Sequence, residues 1–348
     1  MKEWLLGKNP DQLKQIAASY GLPSFAAGQV ANWVYGRHVR EIEQMTNLSK
    51  TAREKLAETY QVGGFEPLQV QVAADGTKKY LFPTLCGSGI GVEAVMIPEG
   101  DRATLCLSSQ VGCKLGCSFC MTGRMGFAGN LTAGEIVGQF LGTGETDRLT
   151  NIVYMGMGEP LNNWDQVLRS LEIFTSDWGF DWSPRRITVS TSGILPVLDD
   201  FMAKTQAHLA ISLHSPYDEQ RAQIMPVQKA YPISSVIRKL RQYDFSGQRR
   251  LSFEYILFEG FNDTQRHAAA LLQLLRGLEC RVNLIRFHAI EDFPMRPSSE
   301  PAVNAFMARL NKAGQVATVR ASRGEDILAA CGQLSVKKKT NPDATRGI

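Results

Sequence analysis

From residue 103 to residue 320 the chain repeats one pattern, a short run of apolar and β-branched residues followed by a longer helix-like stretch. The runs fall at 104–107, 152–155, 187–190, 208–213, 251–257, 282–287 and 316–320, and the helix-like stretches at 132–142, 164–176, 196–204, 232–243, 264–277 and 300–313. Each return from one strand to the next needs a crossover, so this alternation predicts parallel strands in an α/β fold. Two architectures accommodate it, an open doubly wound sheet or a β/α barrel, complete or partial, and periodicity does not choose between them. With 348 residues, 44% of them hydrophobic and 21% charged, the chain has room for such a core and excludes fibrous or largely disordered classes.

Upstream the texture differs. Helices are predicted over Asp11 to Tyr20, Ser24 to Tyr35 and Ser49 to Tyr60, with Ser24 and Ser49 as N-caps and Gly21, Gly36 and Gly63-Gly64 as stops. Residues 66–98 then alternate around Asp75-Gly76, a hairpin signal, and end in the strand-like run 91–97. The expected organisation is a helical accessory domain at 1–64, a hairpin linker at 65–102, a β/α unit at 103–335 and a basic, flexible tail at 336–348. No run of 18 apolar residues occurs, and Met1-Lys2-Glu3-Trp4 leads into a helix start at Pro10-Asp11 rather than a signal-peptide core, so a cytoplasmic chain without membrane contact is expected. The net charge of +4 permits a nucleic-acid partner without announcing one; its basic groups, Arg185-Arg186, Arg249-Arg250, Arg320, Arg323 and Lys337–Lys339, lie in the second half.

The unusual residues sit where α/β folds assemble sites, at the C-terminal ends of strands: Cys113–Cys120, Gly156-Met157-Gly158-Glu159-Pro160, Ser190-Thr191-Ser192-Gly193, Ser212-Leu213-His214-Ser215 and His288. One converging site is the simplest reading. Of seven cysteines, four (Cys106, Cys113, Cys117, Cys120) fall within fifteen residues, which in a chain without a secretion signal points to metal or redox chemistry rather than a disulfide framework. Structural zinc normally takes four ligands from two knuckles, and no second Cys-x-x-Cys pair exists. Three thiolates on a four-iron, four-sulfur cluster leave one iron open to bind a substrate or cofactor.

Cys113-x-x-x-Cys117-x-x-Cys120, with Phe119 before the last cysteine, resembles the signature of the radical S-adenosylmethionine (SAM) superfamily, and the Gly-Met-Gly-Glu-Pro run one strand later sharpens the likeness. Over nearly the whole chain the finer resemblance is to RNA adenosine methyltransferases of the RlmN and Cfr type. It is carried by Thr104–Cys113 (TLCLSSQVGC), Ala210–His214 (AISLH) and Asp326–Leu334 (DILAACGQL). The resemblance implies a partial radical SAM barrel, a 4Fe-4S cluster on Cys113, Cys117 and Cys120, and two molecules of SAM per turnover. Gly158 and Glu159 would meet the SAM amino group; Ser190, Ser212, Leu213, His214 and His288 would meet its ribose and carboxylate side. At His288 the better-known relatives carry asparagine, so this contact departs from the pattern.

Carbon 2 of adenine is electron-poor and does not attack a SAM methyl group directly. The resemblance implies instead that Cys331 first accepts a methyl group, as a thiolate is suited to do. A radical made at the cluster from a second SAM then removes hydrogen from that methyl group, and the carbon radical joins the base. Glu93, thirteen residues before Cys106, would take the ring proton, and Cys106 would attack the Cys331 sulfur to release the product with a transient Cys106–Cys331 disulfide. Cys86 and Cys280 match no motif and read as core, and His38, His208 and His267 as structural or surface residues. The implied partners are 23S rRNA in the peptidyl-transferase region, tRNA at the adenosine beside the anticodon, and a reducing donor of the flavodoxin or ferredoxin type; a monomer is expected. Two rivals stay in view. Carbon-8 methylation belongs to a branch with alanine after Gly-Glu and isoleucine in the Ser-Thr-x-Gly turn, where this chain has Pro160 and Ser192. A non-catalytic, metal-stabilised RNA-binding module would explain the cysteine loop and basic second half, but gives no reason for Cys331 or Glu159.

Overall fold

The computed structural model describes residues 2–336; Lys337–Lys339 and the rest of the expected basic tail lie outside the described residues. The chain opens with β1 (Glu3–Trp4), α1 (Pro10–Ser19), α2 (Ala26–Ala31), a wider π turn over Asn32–Gly36, and α3 (Lys50–Thr59), then β2 (Tyr60–Gln61), which pairs in parallel with β1. Asn9 caps α1 through a reciprocal capping box with Gln12, and Ser49 caps α3. Ser24 does not cap: α2 begins at Ala26 from a helical Phe25 with no side-chain cap. Buried Tyr35 ties this unit to the rest. Its hydroxyl accepts from Gly7 N (3.0 Å) and donates to Lys8 O (2.7 Å), while its ring meets Trp178 and Phe180 edge-on.

A ten-stranded sheet follows, built from β3 (Gln69–Val72), β4 (Lys78–Phe82), β5 (Val92–Glu99), β6 (Arg102–Cys106), β9 (Asn151–Tyr154), β10 (Ile187–Thr191), β11 (His208–Ser212), β12 (Leu251–Leu257), β13 (Arg281–Arg286) and β14 (Ala317–Val319). A separate antiparallel pair, β7 (Gln110–Gly112) and β8 (Phe127–Asn130), frames the cysteine loop. From β6 through β14 the sheet strands are parallel and lie side by side in chain order, with no reversal. A doubly wound sheet reverses at a switch point; this one does not. Right-handed crossovers that all step one way put every connecting helix on one face, so the other face becomes the interior of a partial β/α barrel. The helices are α4 (Met121–Arg124), α5 (Ala133–Gly142), α6 (Trp164–Thr175), α7 (Leu195–Lys204), α8 (Asp218–Ile224), α9 (Ile233–Leu240), α10 (Gln265–Leu275) and α11 (Glu300–Lys312). α9 shows why they pack: Ile233, Val236, Ile237 and Leu240 form one buried stripe at helical spacing. Among the described residues no helix is long and apolar enough to cross a membrane.

The segment 65–102 is no free-standing linker. β3, β4 and β5 run antiparallel and zip onto β6, extending the barrel sheet. After β14, at one edge of the sheet, the chain returns to the opposite edge. Gly324 N donates to Asp75 Oδ2 and Ala74 N to Asp326 Oδ2, both 3.0 Å. Farther along, Met121 N donates to Gly332 O (2.8 Å) and Thr122 Oγ1 to Leu334 O (2.7 Å). The segment that carries Cys331 thus straps one sheet edge to the other across the interior.

Gly112 is where the cysteine loop leaves β7. Its φ is +73°, and a Cβ there would lie 1.8 Å from the carbonyl oxygen of Gly126. Gly116, φ +63°, has open space around it. Gly112→Ala should therefore cost about 3 kcal/mol in thermal unfolding of the cluster-free protein, whereas Gly116→Ala should cost only about 1 kcal/mol, the backbone penalty alone.

Candidate active site

Cys113, Cys117 and Cys120 lie on the loop between β7 and β8 and line one cavity at the C-terminal ends of the strands. Burial pushes all three thiols up, Cys113 to about 12, because a thiolate loses its hydration there. A bound iron centre offsets that cost, since coordination deprotonates a thiol outright. Among the described residues no three His, Cys, Asp or Glu side chains are gathered tightly enough to hold a single metal ion. A set of soft thiolates around a shared space suits an iron–sulfur cluster.

The opposite wall supplies polar groups. Gly158, φ +103°, packs so closely on Gln110 that a Cβ would fall 2.6 Å from the Gln110 Cβ, so only glycine brings β9's loop this near. The Glu159 carboxylate, 3% exposed, accepts from Leu161 N (3.1 Å) and Ser192 N (2.8 Å). Burial raises its pKa, and the Thr191 hydroxyl, these backbone donors and the Ser192 hydroxyl hold it down. Its place on the cavity wall suits it to accept from an ammonium group. Ser190, Ser212 and His214 line the same cavity. Burial beside Arg221 pulls His214 down to about 3, so the ring is neutral; its Nδ1 accepts from Ile256 N (3.1 Å), which leaves the proton on Nε2.

Two expected contacts are placed elsewhere. Leu213 is fully buried outside the cavity wall; its N–H donates to Glu254 O (3.0 Å) and its carbonyl accepts from Ser215 N (2.7 Å) and Arg221 Nε (3.1 Å). His288 lines a neighbouring cavity, which Cys120 and Ile285 also border, with a ring nitrogen 3.0 Å from Ser322 Oγ and the other 3.7 Å from the Glu325 carboxylate.

Cys106 and Cys331, far apart in sequence, line this neighbouring cavity together, with Val95, Met155 and Arg320. Cys331 also lines the first cavity, so its residue stands between the two. Both cysteines are free thiols. Burial pushes the Cys106 thiol up to about 12, whereas Cys331 is an exposed residue on which desolvation of the thiol acts upward and Arg320 downward. Arg320 Nε lies 3.6 Å from Glu254 Oε2, an otherwise unpartnered carboxylate oxygen facing the first cavity.

Glu93 sits on β5 two residues before Val95, which pairs with Cys106, so its side chain faces the same side of the sheet. It borders neither cavity directly. Lys79, its diagonal neighbour on β4, holds Oε1 at 3.0 Å, and Ser335 N donates to Oε2 at 2.9 Å. Burial raises the Glu93 pKa, while Lys79 and Ser335 lower it. Lys79, Arg221, Glu254 and Arg320 escape a reading by motif. The available signals are single charges inside apolar strands, as Glu254 in Leu251–Leu257.

Comparison with known proteins agrees with this geometry. The family model of the radical SAM superfamily matches residues 107–272, and that of the ribosomal RNA large subunit methyltransferase N-terminal domain matches residues 4–62. A Porphyromonas gingivalis protein named "Probable dual-specificity RNA methyltransferase RlmN" is 54% identical over 334 residues, 96% of this chain and 94% of its own length. The Marinobacter nauticus "Dual-specificity RNA methyltransferase RlmN" is 43% identical, over 95% of this chain and 92% of its own. The crystal structure of a radical SAM methyltransferase from Sphaerobacter thermophilus matches with a TM-score of 0.89 at 41% identity, covering 95% of this chain and 99% of that one. Strand order, cysteine loop and near full-length identity point the same way, and the chain belongs to the RlmN family of radical SAM methyltransferases.

Proposed function

We propose that this chain methylates carbon 2 of adenosine in 23S rRNA and in tRNA beside the anticodon, with Cys331 as methyl carrier, Cys106 as resolving thiol and Glu93 as proton acceptor. The observation that carries the reading is the position of Cys331 on the wall of both cavities, one holding the cysteine loop and the other Cys106. The relatives' names, dual-specificity RNA methyltransferases, support RNA substrates of both kinds. They do not favour carbon-8 chemistry.

A 4Fe-4S cluster on Cys113, Cys117 and Cys120, with SAM along Gly158, Glu159, Ser190, Ser212 and His214, supplies the one-electron chemistry, drawing on a flavodoxin- or ferredoxin-type donor. Cys331, as thiolate, takes a methyl group from SAM by displacement, and Arg320 favours that ionised form. Once the methyl carbon has joined the ring, Glu93 accepts the proton from carbon 2. Cys106, as thiolate, then attacks the Cys331 sulfur: the sulfur–methylene bond breaks, the unpaired electron of the adduct returns to the one-electron carrier, the freed methylene carbon takes a proton to become the methyl group, and the disulfide left behind is reduced by the external donor. For the base to reach Glu93, Ser335 must give up its hydrogen bond, so arrival of the adenosine displaces the end of the strap. Arg286 and Arg323 at the rim of the Cys106 cavity are placed to meet RNA phosphates.

Anaerobic reconstitution followed by reaction with SAM, reductant and either RNA should give 2-methyladenosine by mass spectrometry; no methyladenosine in either RNA overturns the reading. Cys106→Ala should accumulate a covalent RNA–protein adduct on a denaturing gel, because release is blocked. Lys79→Met removes a cation that favours ionised Glu93, so the Glu93 pKa rises further and the fraction able to accept a proton falls. Turnover near pH 6.5 should drop roughly tenfold, with the acidic limb of the pH–rate profile displaced to higher pH.

A further inference from the structure

Arg221, on α8, is 0% exposed and is the largest fully buried side chain. Its guanidinium donates to four acceptors, all uncharged: Leu213 O (3.1 Å), Ser192 O and Ser212 O (2.9 Å each) and Gln228 Oε1 (2.7 Å). Among the described residues none of the close ion pairs involves it. A buried charge ordinarily needs a counter-charge. Two nearby carboxylates are occupied elsewhere. Asp218 accepts from the Ser234 backbone and hydroxyl, and Glu159 accepts from Ser192 N and Leu161 N.

The surroundings show what Arg221 serves. Its Nη2 reaches the carbonyls of Ser192 and Ser212, at the ends of the two strands whose residues wall the SAM cavity. Ser192 is held from both sides, its N–H by Glu159 and its carbonyl by Arg221. The far end of α8 docks on the cysteine loop, where Ser118 N donates to Ile224 O at 3.1 Å. Burial pulls the Arg221 pKa down to about 10, with Cys117, Asp218 and Glu159 opposing the shift, so the guanidinium keeps its charge at neutral pH. α8 therefore places one permanent cation between the SAM wall and the cysteine loop.

We propose that Arg221 is a positioning residue whose buried charge balances the thiolate-bound cluster and favours its one-electron reduction, while its four hydrogen bonds hold the SAM wall in register with the cysteine loop. The proposal rests on the assignment of Cys113, Cys117 and Cys120 as cluster ligands. Three thiolates on a cluster core of charge 2+ leave a net charge of −1, and the electron delivered by a flavodoxin- or ferredoxin-type donor makes it −2. A fixed cation stabilises the more negative state, and charge near a cluster is one of the terms that set its potential. Arginine also suits the place structurally, because its planar fork reaches several carbonyls at once, which lysine does not.

The test compares wild type, Arg221→Gln and Arg221→Lys, each reconstituted anaerobically, with iron and sulfide content measured and the cluster titrated by electron paramagnetic resonance against low-potential mediators, without SAM or RNA. In Arg221→Gln the reduced-to-oxidised ratio at a fixed potential should fall about tenfold, a midpoint about 59 mV more negative for one electron. Arg221→Lys keeps the cation and should stay within about twofold of wild type, while SAM affinity weakens several-fold as the carbonyl contacts are lost. An Arg221→Gln protein with full cluster and an unmoved midpoint overturns the proposal, as does an Arg221→Lys midpoint displaced as far as that of Arg221→Gln. If Arg221→Gln does not fold, the lysine variant decides: an unmoved midpoint with weaker SAM binding supports the proposal and a displaced one overturns it. If neither variant takes up iron, Arg221 serves assembly and the proposal falls. Wild type without iron, or Cys117→Ala with a full cluster, would instead overturn the ligand assignment.

Discussion

Between β6 and β14 every crossover steps in the same direction, and the remaining architecture depends on that one constraint. Helices fill one face because right-handed connections place them there. The other face is left as an interior, and the loops after the strands gather at one end of it. The cysteine loop, the Glu159 turn, the Ser212-Leu213-His214 end and the strap after β14 are neighbours for this reason, although more than two hundred residues separate the first from the last. A sheet that reversed midway would send part of this set to another crevice.

Open edges are the liability of such a sheet. Here the hairpin strands β3, β4 and β5 cover one side of the parallel array, and the strap from β14 returns to that hairpin through Asp75 and Asp326. The closure does chemical work as well, because it carries Cys331 across the interior to Cys106. Tethered charge recurs along the same route. Lys79 meets Glu93, Arg320 meets Glu254, and Arg221 meets carbonyls. Three cations beside sites where negative charge forms, on a carboxylate, a thiolate and a cluster, make a common electrostatic device from unrelated parts of the chain.

Much of this was legible in the sequence. The seven parallel strands declare themselves as apolar runs because both their faces are covered, and the helices between them as 3.6-residue stripes. Strand order is another matter: it follows from packing, so the same runs fitted a doubly wound sheet equally well. α8 left no stripe to read, since Asp218-Glu219-Gln220 precede a buried arginine that any periodic rule counts as surface. Ser24 looked like a cap because serine commonly is one, yet the backbone at Phe25 is already helical. That Cys113, Cys117, Cys120, Glu159, Ser190, Ser212 and His214 converge on one cavity was legible because each lies at or just past the C-terminal end of a strand. Lys79 beside Glu93 was not, because their meeting depends on the register of β4 against β5.

The thiol shared by two cavities imposes a geometric demand. In the proposed reaction Cys331 faces the cysteine loop while it is charged with a methyl group and activated, and faces the base and Cys106 when the methyl carbon is transferred and released. A residue in a helix or strand would hold one orientation. Here it sits on an irregular strap between Leu328, φ +54°, and Gly332, φ +84°, outside any repeating hydrogen-bond ladder. The strap is anchored on both sides of Cys331. Gly324 and Asp326 are tied to the hairpin, Gly332 and Leu334 to α4, and Ser335 alone to Glu93. A neutral bond contributes about 1 kcal/mol net and a bond to a carboxylate about 1.5–3 kcal/mol, so two bonds to carboxylates on one side and two neutral bonds plus the Glu93 bond on the other hold the strap comparably on both sides of Cys331. A thiol on a short irregular span between two anchored ends can reorient without the barrel opening, and in the proposed reaction only the Ser335 bond has to part to uncover Glu93.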